Sequence, residues 1–435
     1  MIALAAVPSG SRPIGFWTSV ALVIGNMIGS GVFLLPASLA PFGAVSLLGW
    51  TVSAAGAICL ALTFARLSAH APAAGGPYAY TRLAYGDLAG FLVAWGYWIS
   101  IWCSNAALAI AFVGYLDPFI PAIVRNPPLA ATLAVTLLWT LTLVNVRGVE
   151  GAGKVQIVTT ALKILPLAAI GIAGVVMFDA TRLAPAAGDS IAHGVMATAT
   201  LTLWAFLGLE SGTVPAGETE DAARTIPRAT ILGTLLTAAI YLIATVGVMS
   251  ILEPGTLGRS TAPFADAARR FGGEGAATLV ALGAAISSFG CLNGWVLVVG
   301  QLPMAAARDG LFPRAFATIS GRGTPAFAMI VSAALSTALV TMNYSRGLVA
   351  LFTFVILLAT LSTLVPYTFC SLAGFVIHRR DPKFAWPAGA AVVSSLAFAY
   401  SLFAIGGAGA DVVFWGFLLL LCGLPVYVAT SGRAA

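Results

Sequence analysis

The sequence predicts an all-α integral membrane protein of about twelve transmembrane helices, and three observations lead there. Of the 435 residues, 60% are hydrophobic and only 8% are charged, with a mean hydropathy of +0.98; a soluble domain carries about 25% charged residues. The apolar residues fall into runs of roughly 20 joined by short polar loops, the length a helix needs to cross a bilayer. The basic residues are distributed unevenly. With the N-terminus placed inside, fourteen of the 21 Lys and Arg fall in inner loops and tails and six in outer loops, leaving Lys163 within the membrane. The positive-inside rule then puts both termini in the cytoplasm of a cell whose inner (plasma) membrane holds the chain. The net charge of +6 is a topology determinant and not a nucleic-acid signal.

The spans read 14–36, 42–66, 88–116, 128–146, 155–177, 194–214, 229–251, 275–303, 325–343, 348–376, 388–406 and 411–431. The N-terminus shows no basic segment followed by a cleavage site, so the first span is expected to be retained. No long linker or low-complexity stretch divides the chain, which predicts one domain over 1–435. The first span is interrupted at Gly25-Asn26-Met27-Ile28-Gly29-Ser30-Gly31, and the sixth at Gly208-Leu209-Glu210-Ser211-Gly212. Two interrupted spans in corresponding positions are the sequence mark of a transporter built from inverted repeats. Their five-span offset predicts repeats over approximately 14–177 and 194–376, with two additional helices over 388–431. The competing reading is that these glycines only let helices pack closely.

A helix broken at mid-membrane exposes N–H groups on one half and C=O groups on the other. The amides at Ser30-Gly31 then suit a carboxylate, and the carbonyls of Trp204 to Leu207 an ammonium. A zwitterionic α-amino acid matches both; a polyamine uses the carbonyl end with nearby carboxylate or aromatic groups. Only two charges fall deep inside apolar spans, Lys163 and Glu210, where an ionised group costs at least ~2.5–3.5 kcal/mol on insertion scales. Glu210 can hold a cation or carry a proton, or act as a structural carboxylate on local amides. Lys163 can snorkel to the interface, or hold its ammonium near the first break in place of a coupling cation. Trp204, Trp295, Tyr97, Trp98 and Trp102 can line a path by cation–π contact or simply pack, and Asn105 shares the span of Tyr97.

Other chemistries find little support. The five cysteines form no CxxC pair and the three histidines are never spaced i, i+4, so neither a metal nor another cofactor is expected. No Asp pair or Ser–His dyad lies within the spans to support an intramembrane enzyme. The tails are too short, on this span assignment, for the soluble domain of a receptor.

Longer segments carry a resemblance. Gly25 to Phe33, Gly75-Gly76-Pro77-Tyr78-Ala79-Tyr80, Leu203 to Ser211, Ala307-Arg308-Asp309-Gly310-Leu311-Phe312-Pro313 and Leu364-Val365-Pro366-Tyr367 are similar to motifs of the amino acid–polyamine–organocation superfamily, and above all to its bacterial basic amino acid/polyamine antiporters. The resemblance implies twelve helices in a five-plus-five inverted-repeat fold with discontinuous first and sixth helices. It implies a substrate-binding set of Met27, Ser30, Gly31, Asn105, Trp204, Leu207 and Trp295, with Ser30 and Gly31 on the carboxylate, Trp295 stacking on substrate and Asn105 in the side-chain pocket. It implies gating by Trp204 and Glu210, with Tyr97 in the outer gate and Tyr78 and Tyr367 in the inner gate. Coupling falls to Glu210 and Lys163, the latter a lysine like that of superfamily members without sodium dependence. Relatives of this kind are homodimers. Ile101, Leu108 and Ala359 replace polar residues of the arginine/agmatine antiporter and argue against a guanidinium pocket. The expected function is exchange of cationic amino acids or their amines by alternating access, with proton coupling as a further possibility; the alternative is a proton-coupled permease for small neutral amino acids.

Overall fold

The computed structural model describes residues 15–29, 31–70, 76–147, 152–183, 190–210, 219–343, 347–381 and 383–431. Ser30, Gly75, Ser211 and Gly212, singled out above, lie outside the described residues. In chain order the helices are α1 Phe16–Met27, α2 Gly31–Leu39, α3 Val45–His70, α4 Pro77–Tyr85, α5 Asp87–Gly114, α6 Ala122–Arg125, α7 Pro127–Val146, α8 Ala152–Val176 and α9 Ile191–Leu203. They continue with α10 Ala222–Ile251, α11 Pro254–Leu257, α12 Pro263–Arg308, α13 Ala326–Asn343, α14 Leu348–Arg380, α15 Ala388–Gly407, α16 Ala410–Leu421 and α17 Gly423–Ser431. No strand element occurs among the described residues.

Among the described residues, nine spans are long and apolar enough to cross a membrane. Three shorter apolar helices, Lys163–Gly174, Ile191–Phe206 and Ala326–Met342, stand where the fifth, sixth and ninth spans were expected. Two expected boundaries differ. The eighth element runs from Pro263 to Arg308, well beyond 275–303, because Gly273 at φ 66° lets an outer helix join the spanning one across a kink. The last span, expected as one helix over 411–431, divides at Cys422 into α16 and α17.

Local chemistry explains the starts and stops. The Asn126 side chain caps α7 by accepting the Leu129 N–H at 3.1 Å, with Pro127 and Pro128 opening the helix. Ser190 caps α9 at His193 N in the same way. Lipid tails are as apolar as the side chains, so helices gain little from burial alone and associate through close packing and polar contacts. Here Trp98 Nε1 donates to Ser332 Oγ at 2.8 Å, Trp139 Nε1 to Thr337 Oγ1 at 3.0 Å, and the hydroxyls of Ser100 and Thr363 are bonded to each other. The first span and α5 form the centre: 88% and 89% of their apolar windows are buried, against 28% and 17% for the last two spans, which face outward.

Both expected interruptions are present. α1 ends at Met27 and α2 begins at Gly31. α9 ends at Leu203, a single 3-10 turn carries Trp204–Phe206, Leu207 is extended, and Gly208 takes φ 102°. That φ favours glycine, and the Gly208 Cα faces Asn26, whose backbone would lie 3.2 Å from any added Cβ. A Cβ on Gly31 would fall 2.1 Å from the Trp204 ring. The two breaks therefore pack on each other through two glycines. Gly31→Ala is expected to displace Trp204. Tryptophan emission should shift and uptake should fall sharply at equal expression; unchanged emission and uptake would show that Trp204 yields without consequence.

Candidate functional site

Breaking α1 strands its last carbonyls. In a continuous helix the Gly29 N–H would donate to Gly25 O. Instead it donates to Met27 O at 2.8 Å, which frees Gly25 O. Lys163 fills that place: its Nζ donates to Gly25 O at 3.1 Å, and the side chain is 0% exposed. The snorkelling alternative is thereby set aside, because the ammonium is directed at the first break and not at an interface. Pro166, one turn on, sits inside α8, and the Cys291 thiol of α12 is close enough to feel the charge on Lys163.

The second break strands both donors and acceptors. The Gly208 N–H donates to Glu210 Oε2 at 3.2 Å. Two phenols complete the carboxylate: Tyr97 OH donates to Oε1 at 2.6 Å and Tyr367 OH to Oε2 at 2.7 Å. Glu210, Tyr97 and Tyr367 are all buried. Hydrogen bonds of this kind meet the acceptor capacity of a carboxylate away from water. α5 and α14 thus bring Tyr97 and Tyr367, expected in the outer and inner gates, to one carboxylate.

Tyr78 stands apart from that cluster. Its hydroxyl donates to Asp309, at the C-terminal end of α12. Arg82 pairs with Asp309 at 3.2 Å and with Asp87 at 2.7 Å. Burial pushes the Asp309 carboxyl up from its ordinary value. Tyr78, expected with Tyr367 in the inner gate, lies in a separate polar cluster joining α4 to α12.

A narrow pocket of about 30 Å³ lies between the breaks. Met27, Gly31, Trp204, Leu207 and Trp295 line it, five of the seven residues expected to bind substrate, together with Asn26, Gly29, Ser104, Leu108, Ala205 and Cys291. Trp204 is held edge-on to Phe352 at 5.3 Å. Asn105 is buried on α5 but does not line the pocket; Ser104 does. The Asn105 Oδ1 has no hydrogen-bond partner among the described residues. The expected ring of free carbonyls is partly in use, since Trp204 O accepts the Leu207 N–H at 3.2 Å.

One residue at the centre was not anticipated. The buried Tyr241 hydroxyl of α10 reaches Met27 O at 2.6 Å and Ala205 O at 3.1 Å. A phenol has one proton, so it is shared between Met27 O at the first break, which also accepts the Gly29 N–H, and Ala205 O at the second. Rings of Trp50 and Phe206 hold it at centroid distances of 5.3 and 5.7 Å. The only sequence signal was a lone tyrosine in an apolar run.

The amino acid permease family model matches residues 14–430. The cadaverine/lysine antiporter of Escherichia coli (strain K12) is 34% identical, over 82% of this chain and 82% of its own. The putrescine transporter PotE of Haemophilus influenzae is 30% identical over 96% of this chain and 97% of its own, and that of Escherichia coli (strain K12) is 30% identical over 97% of each. The chain belongs to the amino acid permease family, within the amino acid–polyamine–organocation superfamily, and it is a multi-pass membrane protein.

Tyr241→Phe keeps the ring packing, takes the phenol donor from Ala205 O and leaves Met27 O with the Gly29 N–H alone. It should lower stability by about 1–3 kcal/mol, read as a fall in the thermal midpoint in detergent. An unchanged midpoint would show that other donors serve these carbonyls.

Proposed function

We propose that the protein exchanges cationic amino acids for their decarboxylated amines across a bacterial inner membrane by alternating access. The observation that carries this reading is the pocket between the two breaks, lined by Trp204 and Trp295, with the buried Lys163 and Glu210 bonded to backbone at the breaks beside it. The named relatives, transporters of lysine, cadaverine or putrescine, support the substrate class. They do not favour the proton-coupled permease for neutral amino acids.

On this reading the chain is one domain with twelve spans, repeats over approximately 14–177 and 194–376, and both termini in the cytoplasm. The substrate carboxylate takes the start of α2 at Ser30 and Gly31, where helix N–H groups point at an anion. The α-ammonium takes carbonyls of the second break near Leu207, and Met27 O once Tyr241 yields it. The distal ammonium lies against the faces of Trp204 and Trp295 by cation–π attraction, since no carboxylate lines the pocket among the described residues. Asn105 offers its unpartnered Oδ1 if the pocket extends along α5. Tyr97, Tyr367 and Glu210 form a gate that must part to open one side. Tyr78 steadies that side through Asp309. Glu210 is the group that gains or loses a proton, because protonation would make it a donor and force one phenol to turn. Lys163 occupies the place of a coupling cation.

Liposomes containing the purified protein and loaded with lysine should take up labelled lysine or cadaverine, and empty liposomes should not. Uptake of labelled alanine into empty liposomes on an inward proton gradient would overturn the exchange reading. Glu210→Gln preserves an acceptor for the phenols and should flatten the pH dependence of exchange; an unaltered pH profile would remove Glu210 from coupling. Lys163→Ala leaves Gly25 O unserved and should impair exchange at constant expression.

A further inference from the structure

Buried hydroxyls on these helices usually bond back to the carbonyl four residues earlier, as Thr142, Thr198, Thr360 and Ser371 do. Six buried Ser and Thr hydroxyls have no partner among the described residues, and five of them are on α10: Thr230, Thr234, Thr237, Thr245 and Ser250. Valine would fill the same volume without an unmet polar atom, and in a membrane such an atom is expensive to leave unpaired.

Their spacing gives them a common direction. Thr230, Thr234, Thr237 and Tyr241 follow i, i+4, i+7 and i+11, one stripe of a helix. The stripe covers about 16 Å of helical rise and ends at the Tyr241 hydroxyl on Met27 O, beside the pocket. α1 lies along its edge. Gly233 is three residues beyond Thr230 and four before Thr237, and a Cβ there would fall 2.7 Å from Val23 Cγ1 and 3.7 Å from Ile24 Cγ1. α1 is a short helix of twelve residues that stops at the break, and near its other end Trp17 is 72% exposed. It is suited to move as a lever about the break.

We propose that Thr230, Thr234 and Thr237 form the polar wall of a cytoplasmic route to the pocket, covered here by α1 and wetted when α1 swings away from α10. The hydroxyls stay unpaired within the protein because their partners are water and the passing ammonium group, which each can accept. The proposal rests on the transporter reading and on the inward orientation of the α10 N-terminus, and it adds a route wall on α10 to the pocket already described.

The test is labelling of Thr230→Cys, Thr234→Cys and Thr237→Cys, each in the otherwise native full chain, by a membrane-impermeant maleimide from the cytoplasmic side. Modification is read residue by residue by mass spectrometry. Leu235→Cys, on the outward face at 45% exposure, is the control. The three positions should label at least about tenfold faster than the control, the rate following the fraction of molecules with α1 displaced. Oxidising a Val23→Cys/Gly233→Cys pair should slow both labelling and exchange, and reduction should restore both. Labelling no faster than the control, in protein that exchanges normally, overturns the proposal and leaves the transporter reading standing. Fast labelling in protein that does not exchange removes the transporter reading, and with it the route that rests on it. Independently, Thr234→Val/Thr237→Val should slow exchange severalfold without lowering the thermal midpoint; unchanged exchange counts against the route.

Discussion

Everything at the centre of this molecule follows from one constraint: a helix broken inside lipid leaves backbone groups that water cannot reach. The structure meets that demand with its most unusual residues. Lys163 supplies the donor that Gly25 O lost when Gly29 N turned to Met27. Glu210 accepts the stranded Gly208 N–H, and Tyr97 and Tyr367 then satisfy the rest of its carboxylate. Tyr241 joins the two breaks by sharing a proton between them. The two charges that insertion energetics should exclude are thus tied to the backbone irregularity, and each accounts for the presence of the other.

The same arrangement makes the centre responsive. A substrate with a carboxylate and an ammonium presents the same kinds of group as the residues now serving the breaks. On the proposed reading, binding exchanges internal partners for ligand partners, with little backbone left unpaired at any stage. A site of that kind can shift between arrangements with modest differences in free energy, as alternating access requires. The close contacts of Gly31 with Trp204 and of Gly208 with Asn26 pack the two breaks directly against each other.

Much of the architecture was legible in the sequence because it interrupts a strong signal. Lys163, Glu210 and the two glycine clusters stand out against apolar runs, and all mark real features of the fold. What was illegible depends on tertiary convergence. Tyr97 and Tyr367 are 270 residues apart in sequence, and only the crossing of α5 and α14 places both on Glu210. Tyr241 carries only the signal of a lone tyrosine in an apolar run, and an aromatic in a membrane span more often packs or anchors. Asn105 and Ser104 are neighbours on α5, and a helical turn of about 100° per residue decides which one faces the pocket. The length of α12 was missed because Gly273 joins two helices where glycine ordinarily suggests a loop.

The central claim is that backbone freed by the two breaks recognises both ends of an α-amino acid. Titration of the purified protein with lysine, Nα-acetyl-lysine and lysine methyl ester, followed by tryptophan fluorescence from Trp204 and Trp295, tests it most directly. The account predicts saturable binding of lysine, with marked weakening when either the α-ammonium or the carboxylate is masked. Equal binding of all three compounds would contradict it, and would place recognition away from the breaks.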